Sequence, residues 1–151
     1  MKLRYFLAIY AAMAFLVPHH ESIAACNGME EYRNWIYMFG HAGWLHYILN
    51  GIGWLMMWKI ATPARTIAAY LISVTAIYLI SCDEPVLGWS TVIFFYTGMC
   101  MAHMPRKRIM RIILVTAISF FIPHIAAMIH LYMLVAGWMI RRLEIAWKKT
   151  K

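Results

Sequence analysis

Charge is scarce in this chain: Asp, Glu, Lys and Arg make up 13% of its 151 residues, whereas 64% are hydrophobic. So little polar surface cannot cover a soluble domain of this size, which excludes a water-soluble globular protein. Cysteine is also rare, with three residues that show no spacing typical of a metal site. Internal repeats, low-complexity tracts and long linkers are absent, so we predict a single domain over residues 1–151.

The apolar residues fall into six segments separated by short loops. A membrane-spanning helix needs roughly 20 mainly apolar residues, with about 17 as the practical minimum. We therefore predict an all-α, polytopic membrane protein with six short transmembrane helices in the lipid bilayer. The six predicted spans are residues 3–17, 35–58, 66–81, 89–104, 109–122 and 125–140. The last eleven residues, 141–151, are predicted to form an amphipathic helix that lies on the cytoplasmic leaflet.

The distribution of basic residues predicts the orientation of these spans. Alternating the loops across the membrane leaves Arg33 alone on one side and the other 13 of the 14 basic residues on the opposite side. Those 13 are Lys2, Arg4, Lys59, Arg65, Arg106, Lys107, Arg108, Arg111, Arg141, Arg142, Lys148, Lys149 and Lys151. Basic loops stay in the cytoplasm, so both termini are predicted to be cytoplasmic. The net charge of +8 is thereby attributed to orientation, and no nucleic-acid partner is predicted.

Two features of the outer side have alternative interpretations. The first apolar segment resembles a signal peptide, and residues 23–26 resemble a lipoprotein cleavage box. His19, His20 and Glu21 separate that box from the apolar run, so we expect the first helix to be retained. Cys26 and Cys82 both fall outside, where a disulfide is possible, although two unpaired thiols are the favoured interpretation.

Several polar side chains lie within predicted spans, where they are costly and therefore candidates for function. His41, His46 and Asn50 occupy the second span, and His46 and Asn50 share a helix face because they are four residues apart. Gly88-Trp89-Ser90 opens the fourth span, and a serine at a helix N-terminus lies close to free N–H groups. Serine nucleophiles are usually activated by histidine, which the sixth region supplies as His124 and His130.

These residues together resemble the rhomboid intramembrane proteases. The pattern His41-x4-His46-x3-Asn50, the sequence Gly88-x-Ser90 and a histidine in the sixth span follow the family's motifs in order, over about residues 1–142. The resemblance implies that Ser90 is the nucleophile and that the sixth-span histidine is the general base and acid. It also implies that His46 and Asn50 stabilise the oxyanion and that His41 supports the site. Neither a metal nor a cofactor is implied.

The resemblance extends to residues around the dyad. It implies that the aromatic ring of Phe94 lies beneath the catalytic histidine and that Gly98 is the small residue two turns below the serine. His130 begins a His-Leu-x-x-Leu-x-x-Gly run similar to the family's and is the favoured base. By depth in the membrane, however, His124 matches Ser90 better, so the choice stays open at this stage. Thr91 and Met133 stand where the family prefers glycine, and both are expected to loosen the dyad.

The predicted function is therefore an intramembrane serine endopeptidase that cleaves transmembrane or membrane-tethered proteins near the outer face. A bacterial cytoplasmic membrane is the predicted location, with the active site open to the outer side. An inactive rhomboid-like protein that binds transmembrane clients is the first alternative. A small transporter or assembly factor is the second, but metal binding is disfavoured because no two histidines are four apart and the spans contain no carboxylate.

Overall fold

A computed structural model describes residues 3–26, 30–80, 85–121 and 126–150. Within these ranges the chain is helical apart from its loops and one short antiparallel bridge between Ala25 and Val86. The predicted all-α class is therefore confirmed. The α-helices are α1 (Leu3–Met13), α2 (His20–Ile23), α3 (Arg33–Ile36), α4 (Trp44–Met57), α5 (Pro63–Leu79), α6 (Ser90–Met101), α7 (Arg106–Ile118) and α8 (Ala127–Lys149). Short 3₁₀ turns follow α1, α3 and α7, at Ala14–His19, Tyr37–Phe39 and Ser119–Phe121.

Helix boundaries follow local sequence signals. Pro63 is the first residue of α5, and the side chain of Thr62 caps this helix by accepting a hydrogen bond from the Arg65 N–H at 3.3 Å. Pro105 precedes α7, where its fixed φ angle of −65° suits the position before a helix. The chain therefore turns where the sequence places proline.

Two of the predicted segments differ from the observed helices. The segment at 35–58 is not one helix: α3 and a 3₁₀ turn end at Phe39, residues 40–43 are non-helical, and α4 begins at Trp44. Gly43 takes a φ of +140°, which is strained for residues with a side chain, so the sequence itself interrupts the helix. The residues predicted as an amphipathic tail, 141–151, continue α8 without a break to Lys149, so the helix extends beyond the predicted span at 125–140.

In the part of the chain that the structure describes, no helix combines the length and the apolar character needed to cross a membrane.

The hydrophobic core includes residues of α1, α4, α5, α6 and α8, and aromatic rings fill the part between α4, α6 and the loop that precedes α6. Trp54 is buried and meets Trp89 edge-on, with ring centroids 5.2 Å apart at 89°. The ring of Tyr96 also packs against Trp54, with centroids 6.0 Å apart. Large rings pack efficiently and bury much apolar area, so they fix the distance between α4 and α6.

The packing of α6 against α8 is the most extensive contact between helices of the described chain. A Cβ atom at Gly98 would collide with the carbonyl oxygen of Leu134, and one at Gly137 would collide with the carbonyl oxygen of Phe95. Each glycine thus faces the backbone of the opposite helix. Small residues at such positions let two helices approach at backbone contact.

A cluster of charges joins α5 to α8 at the predicted cytoplasmic end. The guanidinium of Arg65 donates to both carboxylate oxygens of Glu144, from Nε at 3.0 Å and from Nη2 at 2.6 Å. Arg141 donates a further hydrogen bond to Glu144 at 2.6 Å. Bidentate arginine–carboxylate pairs are stronger than single ones and fix the relative orientation of their partners. The cluster therefore holds the continuation of α8 against the start of α5.

We expect Gly137→Ala to lower the free energy of unfolding by about 1–3 kcal/mol, the usual cost of overpacking a well-packed contact. The added methyl group meets backbone, which cannot yield unless the helices separate. Gly53→Ala is the control, because there the atoms nearest to the methyl group belong to the side chain of Ile93, at 3.2 Å, and a side chain can shift. Thermal unfolding in detergent measures both, and equal losses would contradict this account of the helix contact.

Thermal unfolding also tests how much the carboxylate of Glu144 contributes to stability. Burial by itself raises the pKa of its carboxyl group, but the hydrogen bonds and charges of Arg65 and Arg141 outweigh that effect and hold the pKa below its ordinary 4.5. A carboxyl group whose pKa is lower in the folded state stabilises the protein above its unfolded pKa, and this stabilisation disappears as the pH falls through the folded pKa.

Wild type should therefore be more thermally stable than Glu144→Gln at neutral pH, and the difference should shrink progressively below about pH 4.5. Exposed Glu21 provides the control, since Glu21→Gln should show no such difference. A gap between wild type and Glu144→Gln that stays constant down to pH 3 would contradict the prediction.

Candidate active site

Ser90 is the first residue of α6, and the loop before it is shaped by Gly88. Gly88 has a φ of +112°, a conformation that other residues rarely adopt. It also has no room for a side chain, because a Cβ atom there would lie 2.7 Å from Cε1 and 2.9 Å from Nε2 of His46. The N–H of Gly88 donates to the carbonyl of Tyr37 at 3.2 Å. Both the backbone conformation and the close contacts of position 88 therefore favour glycine two residues before Ser90.

Ser90 and His130 are in hydrogen-bond contact, with 2.8 Å between the serine Oγ and the histidine Nε2. Ser90 lies at the start of α6 and His130 in the first turn of α8, so the contact depends on the close packing of these two helices. His130 is 9% exposed. His124, the alternative histidine, lies outside the described residues.

The imidazole of His130 is held by an aromatic ring. Phe94, one turn after Ser90, stacks on it with ring centroids 4.3 Å apart and planes 5° from parallel. The Nδ1 atom of His130 is buried and has no hydrogen-bond partner among the described residues. Among these residues, the imidazole is therefore contacted by a stacked ring and not by a carboxylate.

His46 and Asn50 lie one turn apart on α4 and both border Gly88. The N–H of Ala42 donates to Nδ1 of His46 at 3.2 Å. In a neutral imidazole the other nitrogen then carries the proton, so Nε2 of His46 is a donor. The buried Nδ2 of Asn50 has no partner within the described ranges. Nε2 of His46 and Nδ2 of Asn50 thus flank the loop that leads into Ser90.

His41 lies in the non-helical segment before α4 and is completely buried. Its ring meets the ring of His46 at 5.4 Å and that of Tyr47 at 5.2 Å, both edge-on. Among the described residues its ring contacts are with Tyr10, His46 and Tyr47 rather than with His130. Among the described residues no three His, Cys, Asp or Glu side chains are grouped in a way that could hold a metal ion.

The two residues that replace expected glycines are both accommodated in the core. Thr91 and Met133 are completely buried, and the serine–histidine contact nevertheless has a normal hydrogen-bond length. Gly98 and Gly137 provide the close helix approach farther along. The helices therefore come together without glycine at positions 91 and 133.

Some residues around the site could not be identified from the sequence pattern. The backbone N–H of Ala42 sets the tautomer of His46, and the carbonyl of Tyr37 holds Gly88. Backbone groups leave no signature in a motif. Tyr10 of α1 also reaches this region, although it lies 31 residues before His41 in the sequence.

A comparison with protein families gives a match over most of the chain. The model of the Rhomboid domain matches residues 29–148, which is most of the chain. The chain belongs to the rhomboid family. Rhomboid domains are integral membrane domains that generally act as intramembrane serine proteases on membrane proteins, so this rhomboid is an integral membrane protein. No curated protein and no solved structure shows a significant match to it.

Thr91 of this rhomboid offers a test of the helix interface. Its buried hydroxyl has no hydrogen-bond partner among the described residues, and an unsatisfied buried hydroxyl costs about 1–3 kcal/mol. Thr91→Val keeps the shape of the side chain and removes the hydroxyl. We therefore expect the free energy of unfolding, measured by thermal unfolding, to stay equal or to rise by about 1 kcal/mol. Thr97→Val on the same helix is the control and should destabilise, because Thr97 bonds the Ile93 carbonyl at 2.9 Å. Greater loss from Thr91→Val than from Thr97→Val would contradict this interpretation.

Proposed function

We propose that this rhomboid is a serine endopeptidase that cleaves transmembrane or membrane-tethered proteins by means of a Ser90–His130 dyad. The observation that carries the proposal is the 2.8 Å contact between Ser90 Oγ and His130 Nε2. A serine hydroxyl is a weak nucleophile until an adjacent base takes its proton, and this contact supplies such a base.

The reaction begins when His130 Nε2 accepts the hydroxyl proton of Ser90 while Oγ attacks the scissile carbonyl carbon. His130 then donates that proton to the leaving amine, and an acyl group remains on Ser90. Water hydrolyses this ester with His130 again as base. The stacking of Phe94 keeps the imidazole in place through these steps.

The tetrahedral intermediate carries a negative oxygen, which needs hydrogen-bond donors. Nε2–H of His46 and Nδ2–H of Asn50 are proposed for this role, together with the backbone N–H of Ser90. The N–H of Ser90 is available because the first N–H groups of a helix have no partner within it. Loss of a single oxyanion donor typically lowers kcat by about 100- to 1,000-fold.

The choice of His130 rather than His124 rests on geometry. The depth argument for His124 assumed that the sixth helix ends near Arg141, but α8 continues to Lys149. A helix of 23 residues is about 34 Å long. The depth of His130 therefore cannot be judged from its distance to Arg141, and its contact with Ser90 favours it as the base.

The membrane arrangement proposed for this rhomboid has six spans, with both termini in the cytoplasm. Thirteen of the 14 basic residues then lie on the cytoplasmic side, which supports this orientation. The dyad, His46 and Asn50 lie in the outer half of the membrane, in a bacterial cytoplasmic membrane. Substrate helices must unwind there to be cut, because helical carbonyls are engaged in internal hydrogen bonds.

The test uses a fluorophosphonate probe, which labels activated serines covalently, on the purified protein in detergent. We expect wild type to be labelled, and Ser90→Ala and His130→Ala to lose labelling, because each removes one member of the dyad. His124→Ala should be labelled like wild type. Thermal unfolding of each variant checks that loss of labelling does not result from misfolding.

The outcomes separate the alternatives. Labelling that persists in Ser90→Ala would refute the serine protease proposal. Loss in His124→Ala but not in His130→Ala would make His124 the base. A folded wild-type protein that is never labelled would favour the inactive, client-binding alternative, for which Thr91 and Met133 in place of glycine are the supporting observation.

A further inference from the structure

The first helix reaches the candidate active site through one side chain, Tyr10. The Rhomboid domain match begins at residue 29, so α1 lies outside it. Tyr10 nevertheless is buried, with 8% of its surface exposed, and it stacks on Tyr47 of α4 with centroids 4.6 Å apart at 17°. We call these two residues the tyrosine pair.

Hydrogen bonds lock the tyrosine pair in both directions. The Tyr47 hydroxyl donates to the backbone carbonyl of Tyr10 at 3.0 Å, and the Tyr10 hydroxyl donates to the backbone carbonyl of Tyr47. Gly51 makes room for this arrangement, since a Cβ atom there would lie 2.7 Å from Cε1 of Tyr10. Stacking plus two side-chain-to-backbone bonds fixes both rings more firmly than apolar contact alone.

The tyrosine pair encloses His41. The Tyr10 ring meets the His41 ring at 6.0 Å and 80°, and the Tyr47 ring meets it at 5.2 Å and 84°. His41 belongs to the non-helical segment 40–43, so no helical hydrogen bonds of its own hold it. Its position therefore depends on the side chains around it, and two of its aromatic neighbours form the pair.

The position of His41 in turn controls His46. The next residue, Ala42, donates its N–H to Nδ1 of His46 at 3.2 Å, and this bond makes Nε2 the proton-bearing nitrogen. The rings of His41 and His46 are also in edge contact at 5.4 Å. A shift of His41 would move the Ala42 amide and release the His46 ring to rotate or change tautomer.

We propose that Tyr10 is a positioning residue: through Tyr47, His41 and the Ala42 amide, it holds His46 as an Nε2–H donor directed at the oxyanion. This inference rests on the proposed protease function, because an oxyanion forms only if Ser90 attacks a substrate. It assigns to α1 a part in catalysis that is additional to membrane anchoring.

The experiment compares Tyr10→Leu and Tyr10→Phe with Tyr5→Leu, a control at an exposed tyrosine of the same helix. Cleavage of a transmembrane peptide is followed at several substrate concentrations, and the active enzyme is counted by titration with the fluorophosphonate probe. We expect Tyr10→Leu to lower kcat per active site about tenfold with KM changed less than twofold, because an oxyanion donor acts mainly in the transition state. Tyr10→Phe keeps the ring and should recover most of the rate, and Tyr5→Leu should match wild type.

A purely structural role for Tyr10 predicts a different result. Tyr10→Leu would then lower thermal stability and the fraction of active enzyme, while kcat per active site would stay within twofold of wild type, and that outcome overturns the proposal. An equal loss of kcat in Tyr5→Leu also overturns it. If Tyr10→Leu does not accumulate as folded protein, Tyr10→Met replaces it with the same expectations.

A second measurement does not need activity, so it separates failure of this inference from failure of the protease proposal. Nitrogen-15 NMR of labelled histidine reports which ring nitrogen of His46 carries the proton, with His46→Gln used to assign the signals. Wild type and Tyr5→Leu should show the Nε2–H tautomer, and Tyr10→Leu a mixture. Identical His46 signals in Tyr10→Leu and wild type overturn the positioning role, even if no substrate is ever cleaved.

Discussion

The close approach of α6 and α8 is the constraint on which the rest of the site depends. Ser90 and His130 lie on different helices, and the hydrogen bond between their side chains requires that the two helices pack closely. Gly98 and Gly137 permit that contact, because each faces a carbonyl group of the opposite helix. Phe94 stacks on His130 in the same interface. The packing that stabilises the bundle therefore also aligns the proposed nucleophile and base.

A second group of contacts holds the loops that complete the site. Gly88 is fixed by the carbonyl of Tyr37 on one side and by the side chains of His46 and Asn50 on the other. Tyr37 is itself anchored, because its hydroxyl donates to the carbonyl of Ser73 on α5 at 3.1 Å. At the opposite end, Arg65, Arg141 and Glu144 connect α5 to α8. The helices are thus joined by polar contacts at both ends, with the aromatic core between them.

The local patterns predicted the class of the fold, but two helix boundaries differ from the prediction. The all-α class was predicted from composition. The helices α5 and α7 begin next to Thr62 and Pro105, about three residues before the predicted spans at 66–81 and 109–122. The break at residues 40–43 was missed because hydropathy averages over a window and does not register Gly43 at a φ of +140°. The span predicted at 125–140 ends before Arg141 because charge was taken as the boundary, whereas α8 continues and Glu144 pairs with both Arg141 and Arg65.

The sequence by itself determined which chemistry is available: an apolar chain with a few polar groups at motif spacing, among them His46, Asn50 and Ser90. The spacing of His46 and Asn50 can be read from the sequence because residues four apart on one helix share a face regardless of tertiary packing. Only the tertiary structure decided which partners meet across helices, such as Ser90 with His130 and Tyr10 with Tyr47. Those contacts depend on backbone separation and ring orientation, which are set by packing from several helices at once and leave no local pattern.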